Sequence, residues 1–201
     1  MNKGRLEAFS DGVLAIIITI MVLEFKIPHG DDFNALKPLV PVALSYLLSF
    51  IYLAIYWNNH HHMMHTVKFV TGDILWANLH LLFWLSLVPF VTGWMGENEF
   101  APIPVALYGL ILLMAAIAYW ILQNRILKHH GPDSILARAI GKDMKGKISP
   151  ILYSIAIGST MFSSLVAGIL YVVVALMWLV PDKRIEIIFR EKNDQDKTFG
   201  R

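Results

Sequence analysis

Long apolar segments alternate with short polar connections along the chain. An α-helix needs about 20 mostly apolar residues to cross a bilayer. Four segments meet that length, namely residues 8–26, 39–57, 74–94 and 102–123. A fifth apolar segment runs from Ile148 to Val180. At about 1.5 Å per residue it exceeds the roughly 30 Å hydrocarbon core, so two shorter helices are predicted there, 148–162 and 164–180.

The basic residues decide between five and six spans. Of the 17 Lys and Arg residues, only Lys26 and Lys37 fall on the side of the first and third connections. Six spans place the other 15 on one face, and cytoplasmic loops carry the excess of Lys and Arg. We therefore predict an all-α integral membrane protein with six transmembrane helices and both termini in the cytoplasm. Residues 1–182 form the membrane domain, and 183–201 form a cytoplasmic tail.

Two shorter features complete this organisation. The basic start of the chain precedes an apolar run, as in a secretory signal, but Asp11 interrupts the run and no small-residue cleavage site follows. We expect a retained first helix. Between the fourth and fifth spans, Pro132-Asp133-Ser134 has the composition of a helix start. Apolar residues then recur at helical spacing, which predicts a short helix at the cytoplasmic interface.

The composition excludes several classes of protein. Of the 201 residues, 56% are hydrophobic and 16% are charged, against about 45–50% and 25% in soluble domains. A soluble or disordered chain is therefore excluded. The chain has no cysteine, and its net charge of +2 does not indicate nucleic-acid binding. The sequence offers no nucleophile–base pair, phosphate loop or two-metal cluster, so an enzyme is not predicted.

The first span separates polar from apolar positions. On an ideal helix Ile16, Thr19, Ile20 and Leu23 share one face, and Asp11 points about 140° away from Ile16. One face is thus apolar with a single hydroxyl, and the other carries a carboxylate near the cytoplasmic end. A buried carboxylate needs hydrogen bonds or a cation. The candidate partners are Arg5, His61, Trp76 and Asn78.

These residues belong to a recognisable pattern. Arg5 is followed by Phe9-Ser10-Asp11, and the apolar run then continues to Glu24. Tyr56-Trp57 and His61-His62 close the second span, and the third span contains Asn78-Leu-His-Leu-Leu82 and Pro89-Phe90. Together these motifs resemble the transmembrane protein 175 family, which comprises lysosomal potassium channels and their bacterial relatives. The resemblance extends over the whole chain.

The resemblance implies a potassium-permeable cation channel in the plasma membrane of a bacterium. In this family four subunits surround a central pore that their first helices line, without the carbonyl filter of ordinary potassium channels. Ile16, Ile20 and Leu23 correspond to the apolar rings of that pore, and Thr19 to a ring of hydroxyls. The implied partners are three more copies of the chain, membrane lipid, and potassium with other monovalent cations. No cofactor is implied.

The resemblance also implies a role for the other residues of the motif. They form a structural network that holds the first helix against its neighbours rather than a selectivity filter. The residues of this network are Arg5, Phe9, Ser10, Asp11, Trp57, His61 and Asn78. Glu24 lies near the outer end of the first span, where it forms either a ring of carboxylates at the outer mouth or an interfacial charge.

Two other classes of function remain open. One is a proton-coupled or metal-cation carrier that uses Asp11, His61 and His80 as a relay. The other is a membrane scaffold without transport. The four histidines between His60 and His65 invite a metal site, but they lack a third ligand at a fixed spacing, so no metal is predicted.

Overall fold

The computed structural model describes residues 2–140 and 143–179, except for the side chain of Ala139. The predicted tail, 183–201, lies outside the described residues. Within them there is no β-strand, and the chain forms eight α-helices joined by turns and two short 3-10 segments. The helices are α1 (Lys3–Ile20), α2 (Val40–His65), α3 (Gly72–Ser86), α4 (Val88–Glu97), α5 (Pro102–His130), α6 (Ile135–Ile140), α7 (Met144–Ser159) and α8 (Ser164–Leu179).

The all-helical prediction agrees with this architecture. Four helical segments are long and apolar enough to cross a membrane: Lys3–Glu24, Phe33–His65, Gly72–Glu97 and Pro102–His130. Among the described residues, these segments contain the second, third and fourth predicted spans, and the first ends at Glu24, two residues before the predicted end of span 8–26. The fifth apolar segment folds as two helices, α7 and α8, joined by the turn at residues 160–163. Each of these helices has 16 residues, so each is shorter than an average span.

The third span is broken in its middle. α3 ends at Ser86 and α4 begins at Val88, with Pro89 in its first turn. Proline has no N–H to donate, and its ring clashes with the carbonyl four residues earlier, so it ends one helix and suits the first turn of the next. The third span therefore changes from one helix to another at Leu87.

The longest helix, α5, is the centre of the bundle. It packs against α3, α4, α7 and α8. Its core positions include Tyr108 and Gly109, which face Tyr171 of α8. The Tyr171 hydroxyl donates a hydrogen bond of 3.1 Å to the carbonyl of Val105. This interior leaves α1 at one side of the bundle, where it contacts α2, α3 and α4.

A candidate pore-lining helix and its polar anchor

α1 has one buried face and one exposed face. The buried positions repeat every three or four residues, as a helix packed along one side requires, and they are Leu6, Ser10, Leu14, Ile17 and Met21. The opposite face carries Ile16 and Ile20, of whose surfaces 63% and 45% are exposed. Leu23, with 75% exposed, follows in the 3-10 segment Met21–Glu24. Because residues three apart eclipse in a 3-10 helix, Leu23 stays in line with Ile20.

Thr19 lies on the same exposed face. Its hydroxyl donates to the carbonyl of Ala15 over 2.9 Å and also approaches the carbonyl of Ile16 at 3.1 Å. This bond uses the only proton of the hydroxyl and leaves the oxygen as an acceptor. The exposed face of α1 therefore presents apolar side chains and one oxygen that can meet a cation.

A buried hydrogen-bond chain ties the other face of α1 to two neighbouring helices. Ser10 Oγ donates to the carbonyl of Leu6 over 2.9 Å and accepts from Asn78 Nδ2 of α3 over 2.9 Å. Asn78 Oδ1 then lies 2.7 Å from His60 Nε2 of α2. Because the Asn78 amide nitrogen is committed to Ser10, its oxygen is the acceptor and His60 carries a proton on Nε2. All three side chains are buried.

A second link joins α1 to α2 beside this chain. Trp57 Nε1 donates a hydrogen bond of 3.0 Å to Asp11 Oδ1. His61 is exposed, stacks on the Trp57 ring with centroids 5.8 Å apart, and also contacts the ring of His65. The buried histidine in these contacts is therefore His60, whereas the predicted network contains His61. We call Ser10, Asp11, Trp57, His60 and Asn78 the polar anchor of α1.

The structure also places Arg5 and Phe9 of the predicted network and His80 of the predicted relay. Arg5 and Phe9 are exposed near the start of α1. His80 of α3 accepts a hydrogen bond of 2.9 Å from Trp84 Nε1. Among the residues that the structure describes, no group of three His, Cys, Asp or Glu side chains could hold a metal ion.

The far end of α1 packs closely on α4. Glu24 is half-buried, and its carboxylate lies against Gly93, where an added β-carbon would be 2.6 Å from Glu24 Oε2. Glu24 thus turns toward α4. Just beyond, Lys26 Nζ forms an ion pair with Glu97 Oε1 at 2.5 Å. The hydrogen bond and the charge of Glu97 raise the pKa of Lys26 above its ordinary value.

α1 is thus held at two places and is exposed on the face between them. Polar contacts fix one face near the start of the helix, and close packing on α4 holds its other end. The face between these supports remains uncovered within the subunit and carries apolar side chains around Thr19. A large exposed apolar surface on a helix of this kind faces lipid or other subunits.

The chain is similar to known proteins over the segments that form this arrangement. The model of the endosomal/lysosomal potassium channel TMEM175 matches residues 5–89, which include α1 and the anchor residues of α2 and α3. A potassium channel of Chryseobacterium sp. (strain P1-3) is 57% identical over 191 residues, which cover 95% of this chain and 100% of that protein. The chain belongs to the TMEM175 family. Its membership confirms the resemblance inferred from the sequence motifs.

Other TMEM175 proteins share part or most of the fold. The crystal structure of a lysosomal potassium-selective channel TMEM175 homolog from Chamaesiphon minutus matches with a TM-score of 0.78 and 31% identity, covering 90% of this chain and 97% of that one. The endosomal/lysosomal proton channel TMEM175 of Gallus gallus is 30% identical over 113 residues, or 50% of this chain and 22% of that protein. The TMEM175 fold is therefore common to this chain and the bacterial homolog.

Proposed function

We propose that the protein is a potassium-permeable cation channel in which α1 of each of four subunits lines a central pore. The observation that carries this proposal is the division of α1 into an anchored face and an uncovered face. On the anchored face, a buried hydrogen-bond chain joins Ser10 of α1 to Asn78 of α3 and His60 of α2. Such a chain fixes the rotation of α1, which matters if the opposite face must point at an ion path.

The uncovered face has the chemistry of a narrow hydrophobic pore. Four copies of Ile16, Ile20 and Leu23 form successive apolar rings around the axis, and Thr19 adds a ring of hydroxyl oxygens. Apolar rings gate by dewetting, and hydroxyl oxygens replace part of the hydration shell of an ion. Conduction is passive and needs no cofactor. The potassium channels of Chryseobacterium and Chamaesiphon support potassium as the permeant ion.

Six helices cross the plasma membrane of a bacterium in this proposal, with both termini in the cytoplasm. α7 and α8 are the fifth and sixth spans. Each is about 24 Å long at 1.5 Å per residue, so the turn between them lies at or just inside the outer boundary of the roughly 30 Å core. The cytoplasmic end of the bundle then holds the polar anchor. Glu24 lies near the outer mouth, where it supports α1 against Gly93.

The test is potassium flux from liposomes that contain the purified full-length protein. The wild type should release potassium passively, without a proton or sodium gradient. Ile16→Asn should change the flux or the potassium-to-sodium ratio, because it replaces an apolar ring with amides. Ile155→Asn is the matched control. Its side chain is 54% exposed on α7, against 63% for Ile16, and α7 does not line the pore in this proposal.

Three results would contradict the proposal. Equal effects of Ile16→Asn and Ile155→Asn on the flux would mean that α1 does not line the ion path. Uptake that requires a proton gradient and is lost in Asp11→Asn would indicate a carrier. If correctly folded protein released no potassium, the hypothesis of a membrane scaffold would remain. Cross-linking in the same liposomes should yield species up to a tetramer.

A further inference from the structure

His130, the last residue of α5, contacts the connection between α2 and α3. Thr66 and Val67 of this connection are buried, whereas Lys68 and Phe69 are exposed. The backbone N–H of Lys68 donates a hydrogen bond of 2.9 Å to His130 Nε2. The Phe69 ring stacks on the imidazole, with the two centroids 4.7 Å apart. These two contacts join the exposed part of the connection to α5.

The partners of the two ring nitrogens determine the protonation state of His130. Nδ1 lies 3.0 Å from the carbonyl oxygen of Ile126, which can only accept a hydrogen bond, so Nδ1 carries a proton. Nε2 accepts from the N–H of Lys68, so it carries none. His130 is thus the neutral Nδ1–H tautomer. A second proton would have to occupy Nε2, where it would face the backbone N–H and leave two donors without an acceptor.

The neighbouring histidine makes a contact that a proton strengthens. His129 Nε2 lies 2.7 Å from Oδ2 of Asp73 in the first turn of α3. The other oxygen of Asp73 accepts from the Thr71 hydroxyl and from the backbone N–H of Ile74. A carboxylate accepts from a neutral or a charged imidazole, and the charged one gives the stronger bond. Acid therefore strengthens the link between α3 and α5, whereas it removes the acceptor of Lys68.

Charges of both signs surround this junction, and water reaches it. The side chains of His129 and Asp73 are 29% and 36% exposed, and His130 is half-buried. An aromatic face attracts a charged imidazole, so stacking on Phe69 does not prevent protonation. The charged and titratable groups placed around His130 are Lys68 on the connection, Asp73 on α3, Lys128 and His129 on α5, and Asp133 just after α5.

We propose that His130 forms a pH-sensitive contact between α5 and the α2–α3 connection. A histidine ordinarily changes charge between about pH 5 and pH 8. Above that range the neutral ring accepts from Lys68, and the contact is complete. As the pH falls through the range, Nε2 takes a proton, the bond to Lys68 is lost and its N–H turns to water. The pair of His129 and Asp73 holds α3 on α5 in both states, so the change is confined to the connection. The proposal does not depend on ion conduction.

The test is hydrogen–deuterium exchange of the purified full-length protein at about pH 8 and about pH 5, read at the Lys68 amide by fragmentation of the peptide that contains residues 66–71. The matched variant is His130→Gln, whose side-chain oxygen can accept from Lys68 but takes up no proton. Since the substitution lies outside the peptide, the intrinsic exchange rate is the same in both proteins at each pH. At the higher pH the two proteins should exchange alike. At the lower pH the amide should exchange about fivefold faster in the wild type, the factor expected for one lost hydrogen bond.

Two further variants show which histidine takes the proton. His129→Gln keeps a donor for Asp73 but does not titrate, and its Lys68 amide should respond to acid as in the wild type. His29→Gln, in the exposed connection after the first helix, should respond in the same way. Because a substitution can also disturb the end of α5, the imidazole nitrogen NMR spectrum of the wild type gives independent evidence. The signal that His130→Gln removes should be an Nδ1–H tautomer at about pH 8 and a charged ring at about pH 5.

Three results would overturn the proposal. One is equal exchange of the Lys68 amide in the wild type and in His130→Gln at about pH 5. Another is loss of the acid response in His129→Gln, which would place the decisive proton on the other histidine. The third is an Nε2–H tautomer of His130 at about pH 8, because that tautomer cannot accept from Lys68.

Discussion

The indole nitrogen of Trp57 donates a hydrogen bond to Oδ1 of Asp11, with 3.0 Å between the two atoms. This bond joins α2 to the middle of α1, five positions before Ile16. Asp11 itself is exposed, so its carboxylate is not stranded in an apolar interior. We interpret this contact as a support for the orientation of α1.

This interpretation predicts different outcomes for two substitutions at Asp11. Asp11→Asn keeps an oxygen that accepts from Trp57, so thermal stability and potassium flux should stay close to those of the wild type. Asp11→Leu removes the acceptor and should lower the flux severalfold, because α1 loses a contact worth about 1 kcal/mol or more. Liposome flux and the melting temperature are measured together. Loss of flux in a stable Asp11→Asn variant would instead indicate a proton relay through the carboxylate.

The helical pattern of α1 agrees with the structure, whereas on α2 the buried histidine is His60 and the predicted network contained His61. Periodicity alone puts Ile16, Ile20 and Leu23 on one side of a helix, and the structure exposes that side. On α2, His61 follows Trp57 by four residues and shares its exposed face. His60 follows Leu53, which is fully buried, by seven residues, so it returns to the core. The helical register of α2 contained this information, whereas the resemblance to the family motif favoured His61.

The buried chain from Ser10 through Asn78 to His60 predicts a large stability effect. Ser10→Ala should lower the melting temperature by several degrees, because the Asn78 amide is left without its partner at a cost of about 1–3 kcal/mol. His60→Leu should have a similar effect by leaving Asn78 Oδ1 unbonded. His61→Leu is the matched control and should change little, since His61 is exposed. A larger loss from His61→Leu than from His60→Leu would contradict this assignment.

Other parts of the fold depended on information that single-sequence patterns lack. Pro89 accounts for the two helices of the third span, because proline suits the first turn of α4. The length of the segment from Ile148 to Val180 predicts a break, and the chain turns at residues 160–163. The aromatic contacts among Tyr52, Tyr108, Tyr153 and Tyr171 could not be predicted, because they bring α2, α5, α7 and α8 together from distant parts of the sequence. Such contacts depend on how the helices pack, which periodicity does not report.

Thr19 allows a test of pore chemistry that leaves folding intact. Thr19→Val keeps the shape of the side chain and removes the oxygen, whereas Thr19→Ser keeps the oxygen. Because the Thr19 hydroxyl bonds only its own helix among the described residues, the melting temperature should change little in either variant. Potassium flux should fall severalfold in Thr19→Val and stay near the wild-type value in Thr19→Ser. Equal flux in both variants would exclude a role for the hydroxyl.

Gly109 allows a close approach between α5 and α8. A β-carbon at this position would lie 1.9 Å from the Tyr171 hydroxyl and 2.9 Å from Ile157 Cγ1. Gly109→Ala should therefore destabilise the protein by about 1–3 kcal/mol through overpacking, visible as a lower melting temperature. Gly168→Ala in α8 is the matched control, because a β-carbon there meets nothing within 4 Å. That change should leave stability equal or raise it by about 0.5–1 kcal/mol, the helical gain of alanine over glycine.

The Tyr171 hydroxyl is the specific obstacle, so a second substitution should relieve part of the strain. Tyr171→Phe alone should cost about 1 kcal/mol, since it removes the hydrogen bond of 3.1 Å to the carbonyl of Val105. Combined with Gly109→Ala, it should cost less than the sum of the two single changes, because the atom nearest the new methyl group is gone. The relief should be partial, as Tyr171 Cζ would still lie 2.7 Å from the added carbon. Strict additivity of the two melting-temperature shifts would mean that α5 and α8 separate before the side chains meet.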